Sequence, residues 1–287
     1  MSNDSRIQGC HEITAFSRHY QHLPSSFKEA AYEAYIHLMR IRRQIHYLFR
    51  YGTTDFFQDI DIEINTSCNR RCSYCPNSIF DRGLIENEKL MPTNVFLKVV
   101  DELAHIGFDG EISPIHFGEP LLDKRLPDLI RYMRDHLPKA RIIIFSNGDL
   151  LDKSRYHVLC EAGVSEFRIT QHGKTTPLGI RELLDAELDV PITCNVLTKF
   201  NNRGGLIEVS PVTRQKYPNC FLYESLTIDY AGNVILCCND YHSSVIFGNV
   251  EQETLLHIWN NPKYKKLRKM LQKRSYNLPI CQKCVGR

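Results

Sequence analysis

No run of about eighteen apolar residues occurs in the 287-residue chain, so no membrane-spanning helix is expected. Met1 to Gly9 are polar and lack the apolar core of a secretion signal. The formal charge is only +3, too small an excess to mark a nucleic-acid partner. From Pro76 to Leu97 there is neither cysteine nor histidine, although a short zinc loop usually closes with a second pair about fifteen residues on. These absences point to a cytoplasmic protein with neither membrane nor nucleic acid among its partners. The 43% hydrophobic content is ordinary and fits one large domain with an appendage. What the chain has in excess is cysteine: eleven residues, which in a non-secreted protein favour metal or redox chemistry over disulfides.

Three of these stand in the run Cys68-Asn69-Arg70-Arg71-Cys72-Ser73-Tyr74-Cys75, just after an alternating apolar stretch. Three thiolates on one tight loop hold only three corners of a cubane iron–sulfur cluster and leave one iron open to a small molecule. A structural zinc loop is the alternative, since soft thiolates at short spacing also select zinc. The spacing, the aromatic Tyr74 before the third cysteine and the position after a first strand resemble the signature of the radical S-adenosylmethionine (radical SAM) superfamily. That resemblance implies a [4Fe–4S] cluster on Cys68, Cys72 and Cys75. Its open iron is chelated by SAM, and reductive cleavage yields a 5′-deoxyadenosyl radical that abstracts hydrogen from an unactivated C–H bond.

Residues 1–58 read as a helical extension. Ser26 and Glu29 form a capping box, Phe27, Ala31, Ala34, Leu38, Ile41, Ile45 and Leu48 a helical stripe, and Gly52 a stop. Arg40, Arg43, His46 and Arg50 form a basic face on the same helix, solvated or docking an acidic partner or peptide. Residues 59–212 alternate strand and helix. Strands are expected at Ile60–Ile64, Ile112–Phe117, Arg141–Phe145, Phe167–Ile169, Ile192–Leu197 and Leu206–Val209, and helices at Pro92–His105, Leu126–His136 and Lys153–Ala162. Such β–α repeats build a parallel sheet or a barrel with reactive loops at the strand C-termini. The fold class is α/β, and the resembled family implies a partial (β/α)6 TIM-type barrel.

Residues at the strand ends match the family one by one. Gly118-Glu119-Pro120 resembles the motif that receives the amino group of SAM. Ser146 and Asn147, before Gly148, stand where the family has an Asn-Gly turn. Thr170 and His172 occupy the place of Ser-x-Asp-Gly, with Thr for Ser and His for Asp, so His172 is open to several roles. Tyr74 takes the aromatic position beside adenine. Cys194, on the fifth strand, is either packing or, as in some epimerases of the family, a hydrogen-atom donor. Arg203, in Asn202-Arg203-Gly204, resembles an arginine that faces substrate or SAM, where its fork fixes a carboxylate or polarises a hydroxyl.

Residues 213–287 carry the second constellation. Cys220, then Gly232-x4-Cys237 in a hairpin turned at Ala231-Gly232-Asn233, a helix at Glu253–Gln272, and finally Cys281-x2-Cys284 bring four thiols together. Zinc remains the alternative, and Cys238 can stand in for Cys237. The pattern resembles the twitch domain, a short SPASM relative, a small β-hairpin and helix domain holding one auxiliary [4Fe–4S] cluster.

Two substrate classes compete. The resemblance favours a ribosomally made precursor peptide that is cross-linked, epimerised or spliced with loss of tyramine, together with a separate leader-binding partner protein. The alternative is dehydrogenation of a sugar or aminocyclitol carbinol, as in enzymes of the 2-deoxy-scyllo-inosamine dehydrogenase type. An electron donor such as flavodoxin or ferredoxin is implied in both. A non-enzymatic electron carrier is the third reading, against which the open three-cysteine loop argues.

Overall fold

The computed structural model describes residues 25–173, 175–214, 220 and 222–286, in two compact units divided between Phe56 and Phe57. In the first unit, α1 (Ser25–Tyr51) ends where Gly52 N–H donates to the Leu48 carbonyl at 3.1 Å. Tyr51 stacks on Phe56 at 3.8 Å, with Tyr47 edge-on to the same ring. The capping box at Ser26 and Glu29 lies outside the described side chains. The helical period is as expected, but Leu38, Ile41, Ile45 and Leu48 are exposed whereas Tyr47 is buried.

The second unit is built on one eight-stranded sheet in the order β5-β4-β3-β2-β1-β6-β7-β8. The strands are β1 (Asp59–Ile62), β2 (Glu111–Ser113), β3 (Arg141–Ser146), β4 (Glu166–Gln171), β5 (Ile192–Val196), β6 (Ser225–Ile228), β7 (Asn233–Ile235) and β8 (Ile246–Asn249). β5 through β6 run parallel, with α2 (Thr93–His105), α3 (Leu126–His136), α4 (Lys153–Ala162) and α5 (Leu178–Leu184) in the crossovers. Each crossover returns the chain to the same edge direction, which gathers the loops after the parallel strands at one end.

The expected sixth strand at Leu206–Val209 is absent; a short 3-10 turn at Arg203–Gly205 leads into irregular chain there. Its place is taken by β6, the first strand of the hairpin, which pairs Asp59↔Ser225 through Ile62↔Ile228 in parallel with β1. Leu226, Thr227 and Ile228 are buried on both faces, as a central parallel strand requires, and Leu206–Val209 cannot offer that. The single expected helix at Glu253–Gln272 is two, α6 (Leu255–Trp259) and α7 (Pro262–Gln272). Pro262 has no N–H and disfavours helical Asn261, whose side chain instead caps the Lys263 N–H at 2.9 Å. The last helix, α8 (Pro279–Val285), carries Cys281 and Cys284.

Alternation along β1 sends Ile60 and Ile62 to the helix layer, both fully buried, and turns Asp59 and Asp61 to the opposite side. Burial, then Asp59 and Glu111, pushes the Asp61 carboxyl well up. Further along the same layer, Glu166 accepts from Arg141 at 2.7 Å and from Arg168 Nε at 2.9 Å, and Arg168 also reaches Glu111. Glu166 and Arg168 side chains are only 3% and 7% exposed, so losing Glu166 leaves the buried Arg168 charge with only the longer 3.4 Å contact to Glu111. Glu166→Leu is expected to cost about 3–5 kcal/mol, a fall of about 10 °C in Tm. Thermal unfolding followed by circular dichroism checks it.

Candidate active site

Cys68, Cys72 and Cys75 lie on the loop after β1. Cys68 N–H donates to the Gly83 carbonyl and Cys75 N–H to that of Cys72, at 3.0 and 2.8 Å. The loop is clasped from the end of β3: Asp149 accepts from Asn69 at 3.0 Å and from both Nε and Nη2 of Arg70, and Asn147 donates to Asn69 at 2.8 Å. Burial pushes the Cys68 thiol up to about 11, with Glu119, Cys75 and Cys72 adding to it, and burial likewise raises Cys75. Buried thiols that disfavour one another as thiolates ionise readily only beside a cation, which is what a metal centre provides.

Gly118-Glu119-Pro120 sits against this loop. A Cβ at Gly118 would stand 2.3 Å from the Asn65 carbonyl oxygen, so the close approach excludes any other residue. Glu119 is 3% exposed and accepts from Ser146 Oγ at 2.8 Å, Asn147 N–H at 2.9 Å and Leu121 N–H at 3.2 Å. A carboxylate has about four acceptor positions, so one is left. Burial pushes Glu119 up to about 7 against the pull of those three donors. Pro120 opens the short turn that Glu119 caps. Gly148 has φ +78, which completes the turn after Asn147.

Tyr74 hydroxyl bonds His172 Nδ1, and its ring stacks on Phe200 at 4.4 Å and on His172 at 5.8 Å. Burial, then Arg70 and Arg203, takes His172 down to about 4, so its ring is neutral near pH 7. Thr170 is half-buried two residues before it on β4. Phe200 carried no sequence signal. Cys194 is not brought among these residues. It pairs in register with Ile169, whereas the adjacent Thr193 is the one whose hydroxyl reaches Glu166, so Cys194 stands on the opposite face of β5.

The second group of thiols assembles as well. Cys220, Cys237 and Cys281 pack against Leu236, Leu267, Leu271 and Tyr276, Cys220 N–H donates to Tyr276 Oη at 3.1 Å, and Asn239 reaches Cys284 Sγ at 3.8 Å. Burial raises all four thiols, Cys281 to about 12; Cys238, then Cys220 and Cys284, push Cys237 further, and Cys220 and Cys284 push Cys281. Cys238 is raised to about 12 by burial and then by Asp61, with Cys220 and Asp59 adding to it and Arg203 opposing. Arg203 bridges the two groups. Its φ is +49, Nη1 donates to Asn239 Oδ1 at 3.4 Å, and its guanidinium lies 5.6 Å over the Phe117 ring. A non-glycine residue held there is strained, a cost met by surrounding structure at functional positions.

Among the described residues no three His, Cys, Asp or Glu side chains converge on one ion-sized site. A cubane, in which each thiolate takes its own iron, does not ask them to. Among the described residues, too, no helix is long and apolar enough to cross a membrane.

Two groups of half-buried thiols on a largely parallel α/β sheet are the arrangement an iron–sulfur enzyme needs. The family model for the radical SAM superfamily matches residues 62–175, and that for SPASM, an iron–sulfur cluster-binding domain, matches residues 220–285. The chain is 32% identical over 235 residues to the S-adenosyl-L-methionine-dependent 2-deoxy-scyllo-inosamine dehydrogenase of Niallia circulans, across 79% of this chain and 92% of that one. The crystal structure of BtrN in complex with AdoMet and 2-DOIA superposes with a TM-score of 0.71 at 29% identity, covering 79% of this chain and 92% of that one. SuiB of Streptococcus suis bound to its precursor peptide SuiA shares the fold at a TM-score of 0.50 and 13% identity, over 82% of this chain and 72% of that one. The chain belongs to the radical SAM superfamily, and its cofactors are S-adenosyl-L-methionine and two [4Fe–4S] clusters.

Proposed function

We propose that this enzyme dehydrogenates a carbinol carbon of an aminocyclitol or related polyol. The observation that carries the reading is the 32% identity to an inosamine dehydrogenase over 92% of that protein. The likeness to SuiB, which binds a precursor peptide, is at 13% identity and speaks only to the fold, so the precursor peptide and its leader-binding partner become the second reading.

When bound, the SAM–cluster pair supplies a radical able to take hydrogen from the carbinol C–H, and the auxiliary cluster an acceptor for the remaining electron. Cys68, Cys72 and Cys75 hold the first cluster, and Cys220, Cys237, Cys281 and Cys284 the second. The Arg70–Asp149 clasp keeps the first loop in place. Glu119 takes the SAM amino group on its remaining acceptor position, with Gly118, Pro120, Ser146 and Asn147 fixing it. The stack of Tyr74, His172 and Phe200, with Thr170, forms the wall for the nucleoside. Arg203 orients the hydroxyl at the reacting carbon.

The test is anaerobic reconstitution followed by dithionite, SAM and 2-deoxy-scyllo-inosamine. Equal amounts of 5′-deoxyadenosine and a ketone are expected; 5′-deoxyadenosine without ketone would remove the aminocyclitol reading. Glu119 adds a pH signature. It accepts from the SAM amine only when ionised, and its carboxyl lies near 7, so SAM affinity falls as pH drops through 7. Between pH 8 and pH 6 the loss is about tenfold. Equilibrium dialysis of SAM checks this, with the step missing in Glu119→Gln.

A further inference from the structure

Glu63 directly follows β1, and its side chain is 0% exposed. Oε2 accepts from the Arg82 guanidinium and from Tyr230 N–H at 3.2 Å, and Oε1 meets His116 Nδ1 at 3.3 Å. Burial pushes the Glu63 carboxyl up, but His116, Arg82 and Tyr230 together outweigh it and hold the group below the usual carboxylate range. An ionised carboxylate only accepts, so His116 Nδ1 carries a proton toward it and Nε2 is the ring atom left to face a partner. That Nε2 is buried, on a side chain 0% exposed, and has no hydrogen-bond partner. Buried polar atoms are seldom left so, because an unmade bond is expensive.

The surroundings indicate what completes it. The His116 ring meets Phe117 at 4.4 Å, and the Arg203 guanidinium lies 5.6 Å over that same Phe117 ring. Arg203 Nε is a second buried polar atom without a partner. Phe117 also meets Tyr241 at 4.8 Å, whose hydroxyl donates to Asn77, two residues beyond Cys75. Tyr241 itself follows Cys237 and Cys238 closely in the chain. Two unpartnered polar atoms, His116 Nε2 and Arg203 Nε, therefore belong to side chains that each meet the Phe117 ring. A hydrocarbon leaves such atoms unmet, whereas a hydroxyl, which both donates and accepts, satisfies either.

We propose that His116 is a substrate-binding residue whose Nε2 hydrogen-bonds a hydroxyl group of the carbinol substrate, with Glu63 and Arg82 holding the imidazole in place. The inference rests on the aminocyclitol reading and adds the residue that selects a polyol over a less hydroxylated ring.

The test uses reconstituted enzyme with SAM but no reductant, and 2-deoxy-scyllo-inosamine as the probe, with Kd from anaerobic calorimetry. His116→Asn keeps a donor for Glu63 but offers nothing at the Nε2 position; His116→Gln returns an amide there. Kd is expected to rise about tenfold or more in His116→Asn and to recover in part in His116→Gln. Removing the recognised hydroxyl group from the probe should weaken binding to wild type but add little further loss in His116→Asn, a coupling that a merely structural histidine would not produce. Equal Kd values in wild type and His116→Asn, with iron content unchanged, overturn the proposal and leave the aminocyclitol reading intact. No binding of the probe by wild type overturns that reading and the proposal with it. If His116→Asn does not fold, the probe series on wild type decides, and indifference to every single removal overturns the proposal.

Discussion

Cys72→Ala is expected to abolish SAM cleavage: 5′-deoxyadenosine formed with dithionite falls at least about a thousandfold, to background, and iron drops from about eight to about four per chain. Two thiolates on this loop cannot hold a cubane with a defined open corner. No neighbour makes good the loss, because Asn69, Arg70 and Asn147 are committed to the Asp149 clasp and Glu119 to Ser146, Asn147 and Leu121. The same clasp holds the backbone in its path, so the variant should unfold within a few degrees of wild type. Iron analysis and chromatography of the quenched reaction measure the two effects separately. Retained 5′-deoxyadenosine formation would mean that the open iron is elsewhere.

The second large effect is uncoupling. With Cys281 and Cys284 both replaced by Ser, iron should again fall to about four per chain, but SAM cleavage persists. The ketone then falls to less than about a tenth of the 5′-deoxyadenosine formed, because the substrate radical has lost its electron acceptor and is quenched instead. Both residues lie on α8, at the end of the described chain, and Cys281 packs only at the rim of the Leu267–Leu271–Tyr276 cluster, so the barrel should survive. Full ketone yield from this variant would show that the second site does not take the electron.

Both cysteine groups were legible as spacing, and α2 to α4 as apolar period with clear stops, because these depend on near neighbours in the chain. The strand order was not. The hairpin strand of Leu226 and Ile228 was plain, yet its partner β1 lies far back in the sequence, and only the buried double face of β6 decides the pairing. The break at Pro262 was readable from proline chemistry, and a long amphipathic period hid it. Asp59, Asp61 and Glu63 alternate with isoleucines, which on an ordinary sheet means a solvated face. Here that face is enclosed, so the signal for Glu63 and His116 was present with its meaning inverted. Tyr74 and His172 were each expected near SAM, but their mutual bond and the Phe200 stack depend on three loops meeting.

The parallel seam between β6 and β1 also matters for anyone wishing to recombine such enzymes. The second cluster site does not hang from a tether; it is stitched, residue against residue, to the strand that launches the first. Cutting the chain just after Arg203 to transplant a foreign tail would remove a stave from the barrel itself. The spacing of the two cluster sites is thereby built into the sheet, and under the proposed dehydrogenation an electron leaving the substrate would meet an acceptor at a set separation rather than one that must first swing into range.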